Sequence, residues 1–443
     1  KRINGPFGFK GFHSKAVSIA QHFPEWLSSY ANRRFHRSSN KSRFLYIVEK
    51  NSSNWNNFWT ASYDSIAQLT NGEINTDFIY NNLDMLVPLC KTFDGYDEQY
   101  RYLLTLRRYI TRFVSVNTNG TNDGAKPDGC GFHHDSNYEA YMYCYNTVVR
   151  AMQILASTGF QVDASAYRSF RDLVIHKFLL ANEQGYYPLC MSGRSGDWET
   201  NTFSQANLKD LALLGGQILG LTAADAVLAG TYNQLYGVDS AFNYTQATPF
   251  VTGFYQMNHA NAGVFRIRNT VVVNKGFNDQ LWGAEGYPTE NRYGRYQSYG
   301  ALSLIYPGSA ASNGYSKTAW DWNYNPGATT KVLAWNELLA GWNRIDEYSS
   351  KRLAGSLTFD RRNPGYLDRV TGTYGMFAMD FQERRNLGFS GVTNIDTHDT
   401  SFVFKKSNFF FDDVIVCLGS GISNGDTAHP TVTTLYQNVT SPG

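Results

Sequence analysis

A histidine and a tyrosine seven residues apart, His134 and Tyr141, stand where a polar, glycine-containing loop meets an apolar periodic segment, in the stretch Lys126–Tyr145, KPDGCGFHHDSNYEAYMYCY. Ser136 and Asn137 are good helix N-caps, and Tyr138, Tyr141, Tyr145, Val148, Met152 and Leu155 recur at helical spacing up to Gly159. With Asn137 as the cap, the imidazole lies just before a helix and Tyr141 falls in its first turn. Free backbone N–H groups and the positive end of the helix dipole favour a phenolate or a bound carboxylate there. The chemistry these residues could do is proton transfer on an anion. A loop histidine and a helical tyrosine are also a common hydrogen-bonded pair with no catalytic role, so the rest of the chain has to decide.

The chain is 443 residues long, enough for two substantial domains with a large buried core. Charged residues make up 17%, below the usual ~25%, and Phe, Trp and Tyr make up 15%, with 30 Tyr among them. Aromatic rings with an apolar face and a polar edge suit sugars, although most of them fill cores. A net charge of +2 excludes a dedicated nucleic-acid binder with a strongly basic face. Local basic clusters (Arg33, Arg34 and Arg37; Arg107, Arg108 and Arg112; Arg292 and Arg295; Arg384 and Arg385) would attract an acidic polysaccharide if one lined a cleft. The five cysteines form no CxxC pair, which argues against a structural zinc site or a disulfide framework. No signal-peptide core opens the chain, so a targeting segment is absent or already removed. The most apolar stretch, Leu211 to Gly230, is interrupted by Gln217, Thr222 and Asp225 and falls short of a membrane span.

The elements that must position the pair divide into two regimes. From about 14 to 240 the pattern is successive helices. Leu103, Leu106, Ile110 and Phe113 keep helical period after Asp97 and Glu98, Phe170, Leu173, Val174 and Phe178 do so after Asp163, and Thr222 opens a capping-box-like start at TAAD. From about 247 the period shortens. Val264–Arg268 and Val271–Val273 flank a turn at Asn269 and Thr270, and Tyr374–Phe381, Ser401–Phe404 and Val414–Leu418 read as further strands. Helices followed by antiparallel strands, without alternation, predict two domains, 1–245 and 246–443, with a cleft between them as the default binding site. Asn117–Gly124, NTNGTNDG, has spaced Asn and Asp residues that suggest calcium, but Pro127 and the lack of a closing Glu favour an ordinary loop; a divalent cation stays open.

Four segments, taken together, resemble the polysaccharide lyases of family 8, the chondroitin ABC lyases in particular, with the chondroitin AC and hyaluronate lyases as relatives. They are Lys126–Gly129 with His134, Asn137, Tyr138 and Tyr141; Tyr187–Arg194, YPLCMSGR; Glu285–Gln297, EGYPTENRYGRYQ; and Trp320–Asn323, WDWN, followed by Pro326–Thr330. The resemblance implies an α+β multidomain fold, an incomplete (α/α) toroid followed by an antiparallel β-sandwich. It implies catalytic roles for His134, Tyr141, Arg194 and Glu285, and substrate contacts from Asn137, Arg292, Arg295, Trp198 and Trp322. It also implies a secreted or periplasmic, monomeric enzyme acting on chondroitin or dermatan sulfate or hyaluronan, with no required cofactor. The chain departs from the pattern at His133, where the relatives have a basic residue. A further carboxylate-holding residue has only His36 as a weak match, and the chain stops where relatives continue through more β-structure.

The reaction so implied is β-elimination at a 4-linked uronic acid. Removing the C5 proton places a second negative charge beside the carboxylate, so neutralising that group is the main electrostatic task, for which Arg194 and His134 are suited. Tyr141 would take the C5 proton and return it to the leaving oxygen. Its ordinary pKa of ~10 would be lowered by a neighbouring arginine and a helix N-terminus. Glu285 would hold the arginine and tyrosine in place, and His134 would be the base for iduronate, whose C5 proton lies on the other face. Each residue also has a plainer reading: Arg194 as solvated surface, Glu285 as a partner of Arg292 or Arg295 with Glu290 as its rival, Trp320 and Trp322 as core, His133 as a bystander. Two other functions fit the same composition. One is an inverting glycoside hydrolase using Asp197 and Glu199 of GDWE; the other is a glycan-binding protein without turnover.

Overall fold

The structure is a computed structural model. It describes residues 76–439 apart from 78, 81–82, 84–85, 87–89, 91–95, 116–119, 135, 138, 199–202, 222, 240–241, 243–251, 287–288, 340–347, 362–369 and 385–396. His36, Glu199 and the helices expected between 14 and 75 lie outside the described residues. The chain forms two compact units, residues 1–113 with 150–162, and 114–149 with 163–443.

In the first unit, helix α1 (Tyr96–Val114) carries Asp97 in its first turn and Arg112 in its last, in the sense that complements the helix dipole. Leu103, Leu106, Ile110 and Phe113 are all buried, as their spacing requires.

The second unit holds every described strand. It begins with a small antiparallel sheet, β1 (Gly124–Ala125), β2 (Gly131–His133) and β3 (Ser136–Asn137). Then come a 3₁₀ stretch over Glu139–Cys144 and helix α2 (Tyr145–Leu155), whose residues from Arg150 onward belong to the first unit. Helices α3 (Ala164–Leu179), α4 (Gln205–Ile218) and α5 (Ala226–Tyr236) are each capped by a side chain. Asp163 accepts from Ala166 N at 2.8 Å and Ser204 from Asn207 N at 3.1 Å. The cap of α5 is Asp225, where the sequence suggested Thr222, because the Asp225 carboxylate takes the Val227 N–H at 2.9 Å. The same carboxylate is buried against Tyr167 Oη (3.1 Å) and Arg171 Nη1 (3.3 Å) of α3, so one group both starts a helix and ties two helices together.

Eleven further strands follow: β4 (Gly253–Met257), β5 (Ala262–Ile267), β6 (Thr270–Lys275), β7 (Ala301–Ile305), β8 (Thr329–Lys331), β9 (Ala354–Thr358), β10 (Val370–Gly372), β11 (Gly375–Gln382), β12 (Val403–Phe411), β13 (Val414–Ser423) and β14 (Thr431–Thr433). They form antiparallel sheets in the orders β10-β4-β5-β6-β7, β13-β12-β11-β9 and β14-β8. The β5–β6 hairpin turns through Arg268 and Asn269, with Arg268 at φ 51° and Ile267 opposite Thr270.

Burial shows how the sheets are layered. Strand β11 alternates, with Phe377, Met379 and Phe381 inside, so it has one solvent-facing side. β5 and β6 are buried almost throughout, so their sheet is covered on both faces. One face, through Phe254, Phe265 and Val272, packs on the β11–β12 sheet, with Phe410 at 5.2 Å from Phe254 and 5.6 Å from Phe265 between ring centroids. The other face, through Val264, Val271 and Val273, packs on Phe132, Leu179, Tyr187, Met191 and Trp282. Three loops leave that second layer within a few residues of these anchors, at Phe132, Met191 and Trp282, and they carry the candidate site.

Candidate active site

His134 occupies the turn between β2 and β3. Phe132 pairs with Asn137 and His133 with Ser136, and His134 has a left-handed backbone with φ 56°. That conformation is uncommon for a residue with a Cβ and tends to persist where its surroundings enforce it. His133 supplies part of the enforcement. It is buried, its Nδ1 lies 2.7 Å from Asp123 Oδ2, and its ring lies against that of His134 with centroids 3.7 Å apart and planes tilted by 30°. The expected bystander is therefore a prop.

The hairpin also corrects the helix expected over 138–155. Ser136 and Asn137 commit their backbones to β3, so neither caps a helix. Met142, at φ −76° and ψ 37°, breaks the following 3₁₀ stretch before α2 starts at Tyr145. Tyr141 thus sits in that 3₁₀ stretch and not in the first turn of an α-helix; α2 ends at Leu155, short of Gly159. The side chains of Tyr141 and Asn137 lie outside the described ones.

Arg194 ends a loop fastened to the layer beneath it. Tyr187 is fully buried and donates to the Lys177 carbonyl at 3.1 Å, while Ser192 Oγ donates to the Pro188 carbonyl at 3.0 Å. Gly193 then reverses the chain with φ 64°, a conformation glycine adopts without steric cost. The Arg194 side chain that follows is 39% exposed.

Glu285 joins the two. Its side chain is 6% exposed; Oε1 accepts from Arg194 Nη1 at 3.5 Å and Oε2 lies 3.3 Å from His134 Nδ1, whose side chain is 30% exposed. A carboxylate facing Nδ1 places the ring proton there, leaving Nε2 of the neutral imidazole as the basic nitrogen. One buried anion therefore orients a cation and a base, and both keep surface that a ligand can reach. Its rival Glu290 is elsewhere, bonded to Lys317 at 3.1 Å, and Lys317 also approaches the exposed Asp197 carboxylate at 3.8 Å.

The expected substrate contacts separate. Arg292 is exposed, with its guanidinium 4.8 Å from the centre of the Tyr293 ring, and Trp198 is half-buried and stacked on Tyr315 at 5.9 Å. Arg295 and Trp322 lie inside the fold. Arg295 is fully buried, bonded to Glu383 and Thr397 at 2.7 Å each, and Trp322, 3% exposed, belongs to the sandwich core. Side chains so enclosed present nothing to a polysaccharide; for Arg295 the reason is two partners inside the fold that lie 88 and 102 residues away in sequence.

Family models match most of the chain: a lyase catalytic domain over residues 57–241 and the super-sandwich domain of polysaccharide lyase family 8 over 253–441. The chain belongs to polysaccharide lyase family 8. Among curated proteins of known activity, it is 28% identical over 374 residues to a chondroitin sulfate ABC exolyase of Proteus vulgaris, covering 82% of this chain and 36% of that protein. It is 29% identical over 358 residues to a chondroitin sulfate ABC endolyase of the same organism, covering 78% of this chain and 32% of that protein. This family 8 chain thus spans about a third of the length of the relatives it matches. Its fold resembles that of a chondroitin AC lyase of Streptomyces coelicolor solved with chondroitin sulphate, with TM-score 0.53, 19% identity, and coverage of 79% of this chain and 48% of that one. It also resembles a Paenibacillus xanthan lyase, with TM-score 0.55, 17% identity, and coverage of 78% and 32%.

Proposed function

We propose that this family 8 chain carries the catalytic site of a lyase that cleaves 4-linked uronic acid bonds of chondroitin or dermatan sulfate, and of hyaluronan, by β-elimination. The reading rests on one observation, the buried Glu285 carboxylate holding Arg194 on one oxygen and His134 on the other while both stay partly exposed. Arg194 offers a delocalised cation with several donors, which suits a planar carboxylate. Placed on the uronate carboxylate, it offsets the second negative charge that develops when the C5 proton leaves.

In this reading Tyr141 takes that proton and returns it to the C4 oxygen of the departing sugar. For iduronate the proton is on the opposite face, and His134 Nε2 is the base. Arg292 and Trp198, the exposed and half-exposed members of the expected contact set, are assigned to neighbouring sugars, with Asn137 beside the reacting one. The finer architecture belongs to the same proposal: a helical incomplete toroid over 1–245, a β-sandwich over 246–443, and a secreted, monomeric protein.

The test is ultraviolet absorbance during incubation with chondroitin sulfate, dermatan sulfate and hyaluronan in parallel. Elimination leaves a C4=C5 double bond that absorbs; hydrolysis leaves none. Tyr141→Phe is expected to abolish the absorbing product while polysaccharide binding survives. A variant that turns over like the parent removes Tyr141 from the mechanism.

A further inference from the structure

We propose that Asn291 is the positioning residue that sets the separation of Arg194 from Glu285. The inference rests on the lyase reading for its consequence in turnover, but not for its geometry. Asn291 is fully buried, and its Nδ2 lies 2.7 Å from the Glu285 carbonyl, 3.2 Å from Gln297 Oε1 and 3.5 Å from the Gly193 carbonyl. A carboxamide has two N–H groups. One serves Glu285, and the other is shared between Gln297 and the residue just before Arg194.

Arg194 and Glu285 are 91 residues apart in sequence, and they meet directly only through a 3.5 Å contact. That contact is too long to fix either partner firmly. The amide of Asn291 instead ties the two backbones from below. Two backbone carbonyls and Gln297 Oε1 face Nδ2, so its donor character is required; a carboxylate in its place would meet the two fixed carbonyls without a proton to offer them.

The residues around the amide hold it still. The Gly294 N–H donates to the Asn291 carbonyl at 2.6 Å, and a Cβ on Gly294 would lie 2.9 Å from Gln297 Oε1 and 3.1 Å from Asn291 Nδ2. Gln297 is itself 3% exposed, and the next residue after Gly294 is Arg295, locked to Glu383. A closed structural ion pair thus braces the turn whose amide spaces the open one. This gives the buried Arg295 a connection to the site that touches no substrate.

The experiment compares the intact chain with Asn291→Asp, Asn291→Ala and Gly294→Ala. Misplacing a catalytic group by about an ångström costs up to about 10²-fold in rate, so kcat in Asn291→Asp and Asn291→Ala is expected to fall by ~10–100-fold, with KM changing less than about threefold. Gly294→Ala, which crowds the amide without deleting it, should fall in the same sense by less. In an Arg194→Ala background the Asn291→Ala substitution should have little further effect, since both act through the same cation.

A second readout needs no turnover. The NMR titration midpoint of His134 should drop in Asn291→Ala and Gly294→Ala, which add no charge of their own, as Glu285 drifts from the ring, because a nearby carboxylate favours the protonated imidazole. An unmoved His134 midpoint, or full additivity with Arg194→Ala, overturns the proposal. If the parent chain itself makes no absorbing product, the lyase reading fails, and the His134 titration still decides the role of Asn291. Thermal midpoints recorded for every variant separate a displaced site from an unfolded one, and Gly294→Ala stands in where Asn291→Ala does not fold.

Discussion

Two glutamates in the second unit hold two basic side chains apiece, and they do opposite things. Glu383 accepts from Arg295 Nη2 and Lys331 Nζ at 2.7 Å each, with all three side chains at 0–1% exposure. Glu285 meets Arg194 at 3.5 Å and His134 at 3.3 Å, with 39% and 30% of those side chains exposed. The first cluster is enclosed: both carboxylate oxygens are used, Thr397 takes another guanidinium N–H and the Asp399 N–H adds to Glu383 Oε2 at 2.7 Å. The second leaves its guanidinium and its imidazole partly exposed. Charges enclosed and paired at short distance act as structure, whereas charges oriented by one buried partner but left reachable can act on a ligand.

Breaking the closed cluster should produce the largest change. Glu383→Ala removes the short-range carboxylate partner of two buried cations, and the expected cost is about 3–5 kcal/mol of folding stability, read from the urea midpoint at neutral pH. A loss below about 1 kcal/mol, typical of exposed pairs, would mean that water reaches the cluster and that the contrast with Glu285 is false.

The open cluster should fail the other way. Arg194→Ala is expected to lower turnover by roughly 10²–10³-fold, about 3–4 kcal/mol of transition-state stabilisation, while moving the unfolding midpoint little. Equal losses in stability and in rate would place Arg194 with Arg295 as a structural residue.

The smallest effect comes from a buried cation without an anion. Lys406 lies inside the sandwich, its Nζ has no hydrogen-bond partner among the described residues, and burial holds its pKa down to about 8. The unfolded chain, with a pKa near 10.5, keeps the proton between pH 8 and 10.5 where the folded chain has lost it, so stability rises with pH across that window. Below pH 8 both states are charged and the buried charge costs stability. Lys406→Met should therefore raise stability at pH 7 by on the order of 1–3 kcal/mol, since each pKa unit is worth about 1.4 kcal/mol. It should also reduce the rise toward pH 10.5. The rise does not vanish, because burial also holds Lys126 and Lys275 down to about 8. A pH profile identical to the parent's would show Lys406 hydrated in the folded state.

These contrasts bear on what could be read from the chain. The strands were legible because period 2 and turn residues are local: Val264–Arg268, the turn after it and Val271–Val273 appear in the structure nearly as written. The helices carrying Leu103 and Phe170 were equally plain. The segment after His134 was not. Ser136 and Asn137 are good caps by type, yet pairing with Phe132 and His133 takes their backbones into a strand, and pairing is not encoded at either position alone. Asn291 was visible only as one residue of the Glu285–Gln297 segment, since nothing in its own neighbourhood reveals that its amide reaches Gly193.

The sequence by itself determined the strands of the sheet-bearing second half, the helices carrying Leu103 and Phe170 and the residue types at His134, Arg194 and Glu285, because periodicity and chemical type are properties of short stretches of chain. Only the tertiary structure decided that Glu285 and not Glu290 holds the arginine, that Arg194 faces outward while Arg295 faces Glu383, and that His133 supports its neighbour. Two arginines of identical chemistry differ in role through burial and through partners roughly ninety residues away, and those are fixed only when the sheets and loops pack.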